Sequence, residues 1–140
     1  TQRQPVAESD DETVDAAANY LGVVRSELED AAAEHLAAGY SQFGEEVIEP
    51  IELSREGYRQ TLRLEAGRTY LFQGACDQDC SDVDMEILDA SGGQVAEDIA
   101  TDDRPNVAVT PQQDGDYVVR IWLAACDVEP CYVGIRSFRR

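Results

Sequence analysis

Four cysteines stand in two close pairs, Cys76 and Cys80 in CDQDC, and Cys126 and Cys131 in CDVEPC. Such pairs can hold structural zinc, which takes thiolates at short repeated spacings, or they can oxidise to disulfides. Asp77, Asp79, Asp127 and Glu129 crowd these sulfurs. Neighbouring carboxylates raise a thiol's pKa and disfavour the thiolate that zinc needs. Disulfides are therefore the expected chemistry, and of the three possible pairings the local one, Cys76–Cys80 with Cys126–Cys131, asks least of the fold. Each pair lies where one expected strand ends and the next begins, which brings the Cα atoms within the ~4.4–6.8 Å of a disulfide.

The acidic run Asp77, Asp79, Asp82, Asp84 offers a second chemistry. Calcium wants six to eight oxygens from flexible loops, and these four carboxylates are its candidate ligands. The run is not an EF-hand, because Asp82 stands where the loop needs Gly and Leu88 where it needs Glu. The competing role is structural, with Asp accepting backbone amides in turns. No cofactor is required by any motif present, and calcium is the one ion the sequence suggests.

Trp122 and Arg120 are the third feature. In the strand Tyr117–Leu123 one face carries Tyr117, Val119, Ile121 and Leu123, and the other Val118, Arg120 and Trp122. The first face reads as core. Trp122 and Arg120 then form an exposed ligand platform, or lie beneath the N-terminal helix. His35 is the sole imidazole and falls on a helical apolar stripe near the helix C-terminus, where a dipole-stabilised histidine needs no catalytic role. A Ser or Cys nucleophile needs a base within reach, and the sequence offers no such constellation, no Gly-rich phosphate loop, no HExxH and no GxSxG. Close carboxylate pairs arise from composition alone. The reading is non-enzymatic.

The elements that position these residues follow from the hydrophobic period. Residues 1–8 read as a polar, disordered tail. Ser9-Asp10-Asp11-Glu12 fits a capping box, and Val14, Ala17, Leu21, Val24, Leu28, Ala31, His35 and Ala38 keep 3-4 spacing up to Gly39, a natural stop. This predicts one amphipathic helix over about 10–38, within a segment 9–43. The stripe serves a coiled coil or a helix lying on its own domain; its many alanines and Gly22 favour the second. From Ser41 the period becomes two. Residues 44–57 read as a linker with an edge strand, since Pro50 bars a central position. Residues 58–140 carry further short strand segments at 59–64, 69–75, 82–89, 94–96, 107–109, 117–123 and 132–138, alternating at 59–64 and 82–89, with turn residues between them. That pattern predicts an antiparallel β-sandwich preceded by one helix.

Composition bounds the rest. The chain has 140 residues, 29 acidic and 11 basic, all of the latter arginine, for a net charge of -18. That charge opposes nucleic-acid binding, which rests on cations neutralising phosphates. At 43% hydrophobic the chain can build one core, and no apolar run approaches a membrane span of ~20 residues. The sequence opens Thr-Gln-Arg-Gln without Met or a signal core, which suits a mature exported chain.

Three stretches in register resemble the bacterial pre-peptidase C-terminal (PPC) domain. They are Leu62–Tyr70, with its Ala-Gly turn; Ser81–Ala96, with Asp-x-Asp entering a strand before a Gly turn; and Pro111–Ile121, with Gly-x-Tyr-x-x-x-Ile. The resemblance covers about residues 55–138. It implies a secreted, jelly-roll-like sandwich that accompanies another protein, and collagen-binding relatives in that family use calcium and surface aromatics. The helix, the absence of a peptidase domain and the two Cys pairs depart from the family pattern. The expectation is an exported, non-catalytic binding or accessory module, periplasmic or extracellular, that contacts a protein or glycan. The alternative is a structural protein assembling through its helix, so that the chain is either a monomer or a helix-mediated homo-oligomer.

Overall fold

The computed structural model describes residues 5–140, and side chains from residue 17 onward. Helix α1 spans Pro5–Ala37. It begins inside the segment expected to be a tail, and proline suits a first helical turn because its missing N–H would have no partner there. The cap expected at Ser9 therefore falls within the helix, and residues 1–4 of that tail lie outside the described residues. The other end stops as expected. Gly39 takes φ +96°, and the Tyr40 amide turns back to the His35 carbonyl at 3.0 Å, which closes the last turn.

Nine strands follow: β1 Ser41–Gln42, β2 Val47–Ile51, β3 Tyr58–Leu64, β4 Tyr70–Cys76, β5 Cys80–Leu88, β6 Gln94–Asp98, β7 Asn106–Val109, β8 Gly115–Cys126 and β9 Cys131–Arg139. They form two antiparallel sheets. In the first, β1 and β2 both pair with β9, which is followed by β4 and β7; the second runs β3-β8-β5-β6. Taken from β2 onward, this is the strand order of a jelly roll, in which consecutive strands mostly alternate between sheets. The segment expected as a linker supplies β2, paired with β9 from Val47↔Ile135 to Ile51↔Cys131. Pro50 is exposed on this edge strand, where a missing N–H costs nothing.

Between the sheets lie Leu64, Tyr70, Phe72, Met85, Ile87, Val119, Ile121 and Ile135. The outer face of the first sheet is covered by α1. Val24 and Leu28 pack on Ala75, Ile48 and Tyr132, while Ala32 joins Tyr40, Leu71 and Phe138. The contact is close because β9 has Gly134 there: a Cβ at that position would sit 2.6 Å from Val24 Cγ1 and 2.9 Å from Leu28 Cδ1. Strand β4 is thus covered on both sides, and all seven of its residues are buried. His35 completes the seat, with Nε2 2.8 Å from Gln73 Oε1 and its ring edge-on to Phe138. It is a docking residue. Among the described residues, no helix is long and apolar enough to cross a membrane.

Candidate functional site: the disulfide-tied loop end

Jelly-roll topology gathers four connections at one end of the sandwich: β2–β3 (52–57), β4–β5 (77–79), β6–β7 (99–105) and β8–β9 (127–130). Both disulfides are here, joining Cys76 to Cys80 and Cys126 to Cys131, with Cα separations of 5.9 and 6.2 Å. The pairing is local, but the turns are not the hairpins that chain order suggested. Strands β4 and β5 belong to different sheets, as do β8 and β9, so each disulfide staples one sheet to the other.

The loops are also fastened to one another. Asp77 is buried, and its Oδ1 accepts the Asp79 amide at 2.9 Å while its Oδ2 accepts the Tyr132 amide at 2.7 Å. Burial pushes its carboxyl up, against the pull of those two amides. The Asp127 amide donates to the Asp79 carbonyl at 2.8 Å. Glu129 Oε1 accepts the Leu53 amide at 2.7 Å; the β6–β7 loop is instead tied to strand β5, where the Val83 amide donates to the Asp102 carbonyl at 3.0 Å. Tyr20 of α1 stacks on Tyr132, and the nearby Asp79 carboxylate raises its phenol pKa.

The four candidate calcium ligands do not come together as one set. Both oxygens of Asp77 are engaged by backbone amides, as in a turn acid. Asp82 and Asp84 instead adjoin each other and Asp102, with Asp98 also near Asp84, and each has one enclosed Oδ1 without a hydrogen-bond partner. Burial pushes both carboxyls up. Among the described residues, no group of three or more His, Cys, Asp or Glu side chains is arranged to hold a metal ion.

Trp122 corrects both alternatives for the platform. It lies on the outer face of the second sheet, opposite the sheet that α1 covers, yet it is only 4% exposed. The β2–β3 loop crosses over it. Gly57 makes this possible at φ +62°, since a Cβ there would lie 2.7 Å from Trp122 Cβ and collide with the Ile121 carbonyl. The Arg120 and Arg55 guanidinium carbons stand 4.1 and 5.2 Å from the indole centroid. Arg120 also bonds Glu86 at 2.6 Å and the Arg55 carbonyl. Burial pushes the Glu86 carboxyl up, but bonds from Gln94 and Arg120 outweigh it and hold the group below its ordinary value. Arg120 and Trp122 are therefore a buried support for the loop, not an open platform.

What sequence reasoning missed is the apolar surface of this end. Leu53, Ile99 and Val128 are strongly exposed, one from each of three loops, with Val128 at 63%. The available signal was a lone valine between Asp127 and Glu129 inside a closed cysteine pair. A groove of about 510 Å³ at the opposite end is lined by Asp89, Ser91, Gln113, Asp114 and Tyr117. Several of their polar atoms are bonded internally: Asp89 Oδ1 accepts the Ser91 and Gly93 amides, Asp114 Oδ1 the Ala66 amide, and the Tyr117 hydroxyl donates to the Gln113 carbonyl.

No protein-family model matches the chain, and no curated protein sequence does either. Among solved structures it is similar to PliG of Aeromonas hydrophila, a periplasmic inhibitor of g-type lysozyme. The likeness has 10% identity and a TM-score of 0.45 over 71% of this chain and 85% of that one.

Proposed function

We propose that this chain is an exported, non-catalytic module that binds another protein through the disulfide-tied loop end. The observation that carries the reading is the fastening of three of the four loops to one another, by two disulfides and a set of backbone bonds, at an end bearing exposed aliphatic side chains. Disulfides persist in oxidising compartments, which supports export. Preorganised loops lose little entropy on binding, which supports recognition. Assembly through the helix is disfavoured, because Val24, Leu28, Ala31 and Ala32 already bury their side chains in this chain's own fold.

The test is to recover the tagged chain from the envelope fraction of its host cell under non-reducing conditions. Alkylation should find no free thiol, light scattering on the purified chain should give a monomer near 15.4 kDa, and size exclusion of the fraction should show it in a complex with another protein. Four alkylatable thiols, or a homo-oligomer with no other component, would overturn the reading.

A further inference from the structure

We infer that the partner of the loop end is a basic protein, which receives Leu53, Ile99 and Val128 in apolar depressions rimmed by arginine or lysine; this rests on the binding-module reading above. Five large apolar side chains are strongly exposed among the described residues: Leu36, Leu53, Val95, Ile99 and Val128. Three of the five emanate from loops at this one end, each from a different loop. Scattered exposed aliphatics need no explanation, but three of five on the loops of one end do: Leu53 and Val128 lie on loops tied to each other, and Ile99 on the loop at the opposite edge of the same end.

Two of the three, Leu53 and Val128, are held in place. Leu53 is fixed through its own amide to Glu129, the residue after Val128, and Asp127, the residue before it, is fixed to Asp79. Disulfides closing loops of five or six residues contribute only ~2 kcal/mol by chain entropy, far less than a long link would. Their larger consequence here is to fix the path of the two loops they close.

Charge selects the occupant. Glu52, Asp102, Asp103, Asp127 and Glu129 are all exposed on the same loops. The two arginines there are already engaged, Arg104 with Glu27 and Asp30 of α1, and Arg55 over Trp122. A second copy of a chain carrying -18 would be repelled, as would an anionic membrane or a nucleic acid. Glycan recognition stacks sugars on open aromatics, and the one tryptophan at this end is covered. A cationic protein surface satisfies both the acids and the aliphatics.

The experiment places a photoreactive phenylalanine analogue singly at the positions of Leu53, Ile99, Val128, Leu36 and Val95 in the full chain, expressed in the host cell and irradiated. Adducts to the same protein are expected from the first three positions and not from the last two, with the linked peptide flanked by Arg or Lys. With that protein purified, Val128→Ala should weaken binding roughly tenfold without moving the melting temperature, as a central anchor does. Binding should also weaken several-fold between low and physiological salt, and Asp127→Asn should flatten that salt dependence. Adducts only from Leu36 or Val95 overturn this surface while leaving a binding module. No adduct at any position overturns both readings. An acidic or neutral contact face, or affinity indifferent to salt, overturns the basic partner alone.

Discussion

Cys80 and Cys126 stand opposite each other across the β5–β8 ladder, so the two disulfides leave the second sheet side by side and enter the first at Cys76 and Cys131. Two sheets that touch only through side chains are thereby linked covalently twice at one end. Replacing the exposed-loop pair, as Cys126→Ala with Cys131→Ala, should cost about 2 kcal/mol by the closed-loop entropy. For a chain of this length that corresponds to a melting temperature lower by roughly 5–8 °C. Calorimetry under non-reducing conditions reads it, and an unchanged transition would mean that the Cys76–Cys80 disulfide and the hydrogen bonds between the loops suffice to hold the sheets together at this end.

Helix docking has one sensitive point. Gly134→Ala puts a methyl 2.6 Å from Val24 Cγ1, inside any tolerable contact between two aliphatic carbons. Overpacking of this kind costs ~1–3 kcal/mol, and the helix has to lift to relieve it. Limited proteolysis should then cut within α1 well before the sandwich unfolds. Gly22→Ala is the control: its Cβ meets nothing within 4 Å, and it should raise stability by up to ~1 kcal/mol.

How much of this was legible in sequence depends on the range of the interaction. The seat of α1 was readable because Val24, Leu28, Ala31 and His35 repeat at helical spacing and Gly39 marks the stop. The sandwich was readable from alternation, as in β8. Sheet membership was not: β4 and β5 are neighbours in the chain, and nothing local says whether a turn closes a hairpin or crosses between layers. One trace was present. Tyr70–Cys76 lacks polar alternation, which is what a strand covered on both faces requires. The cover over Trp122 was invisible because it depends on a distant loop whose path turns on the positive φ of Gly57.

Glu86 and Arg120 form an ion pair with side chains 10% exposed on both sides. Glu86→Gln leaves the guanidinium enclosed without its counter-charge, and breaking such a pair costs ~3–5 kcal/mol. The pH dependence follows from the lowered Glu86 pKa. Its contribution is complete above the unfolded value of about 4.3 and is lost as pH falls through the lower folded value. Denaturant titrations of the wild type and of Glu86→Gln should therefore converge as the pH is taken below 4. A constant gap across that range would show that the carboxylate charge plays no part.

The loop over Trp122 carries its own optical reporter. Gly57→Ala is strained by φ +62° and by the collision with the Ile121 carbonyl, so the β2–β3 loop should detach at its C-terminal side. Trp122 is the only tryptophan, and its emission should move to longer wavelength as water reaches the indole. Arg55→Ala removes one of the two guanidiniums, at a cost of roughly 0.5–1 kcal/mol for a partly exposed cation–π contact, and should give a smaller shift in the same direction. Unaltered emission in Gly57→Ala would mean that the loop does not provide the cover.

Asp84 makes the opposite case to Glu86. Its carboxyl is pushed up by burial, with Asp82, Asp98 and Asp102 adding repulsion against a weaker pull from Arg55. A carboxyl raised in the fold prefers its proton there, so its ionised form opposes folding above the folded pKa. That opposition disappears as pH falls toward the unfolded value of about 3.9. Asp84→Asn keeps the shape, removes the charge and supplies donors to an enclosed position where Oδ1 now has no partner. Satisfying one buried polar group is worth about 1 kcal/mol, so the variant should melt roughly 2–4 °C above the wild type at pH 7. The advantage should shrink toward pH 3, where the wild-type carboxyl is protonated and itself supplies a donor. Millimolar calcium should leave the wild-type and variant transitions where they are, because Asp77 is committed to the amides of Asp79 and Tyr132. A calcium-dependent rise in the wild type that Asp84→Asn abolishes would instead make Asp82 and Asp84 ligands, and the enclosed oxygens their coordinating atoms.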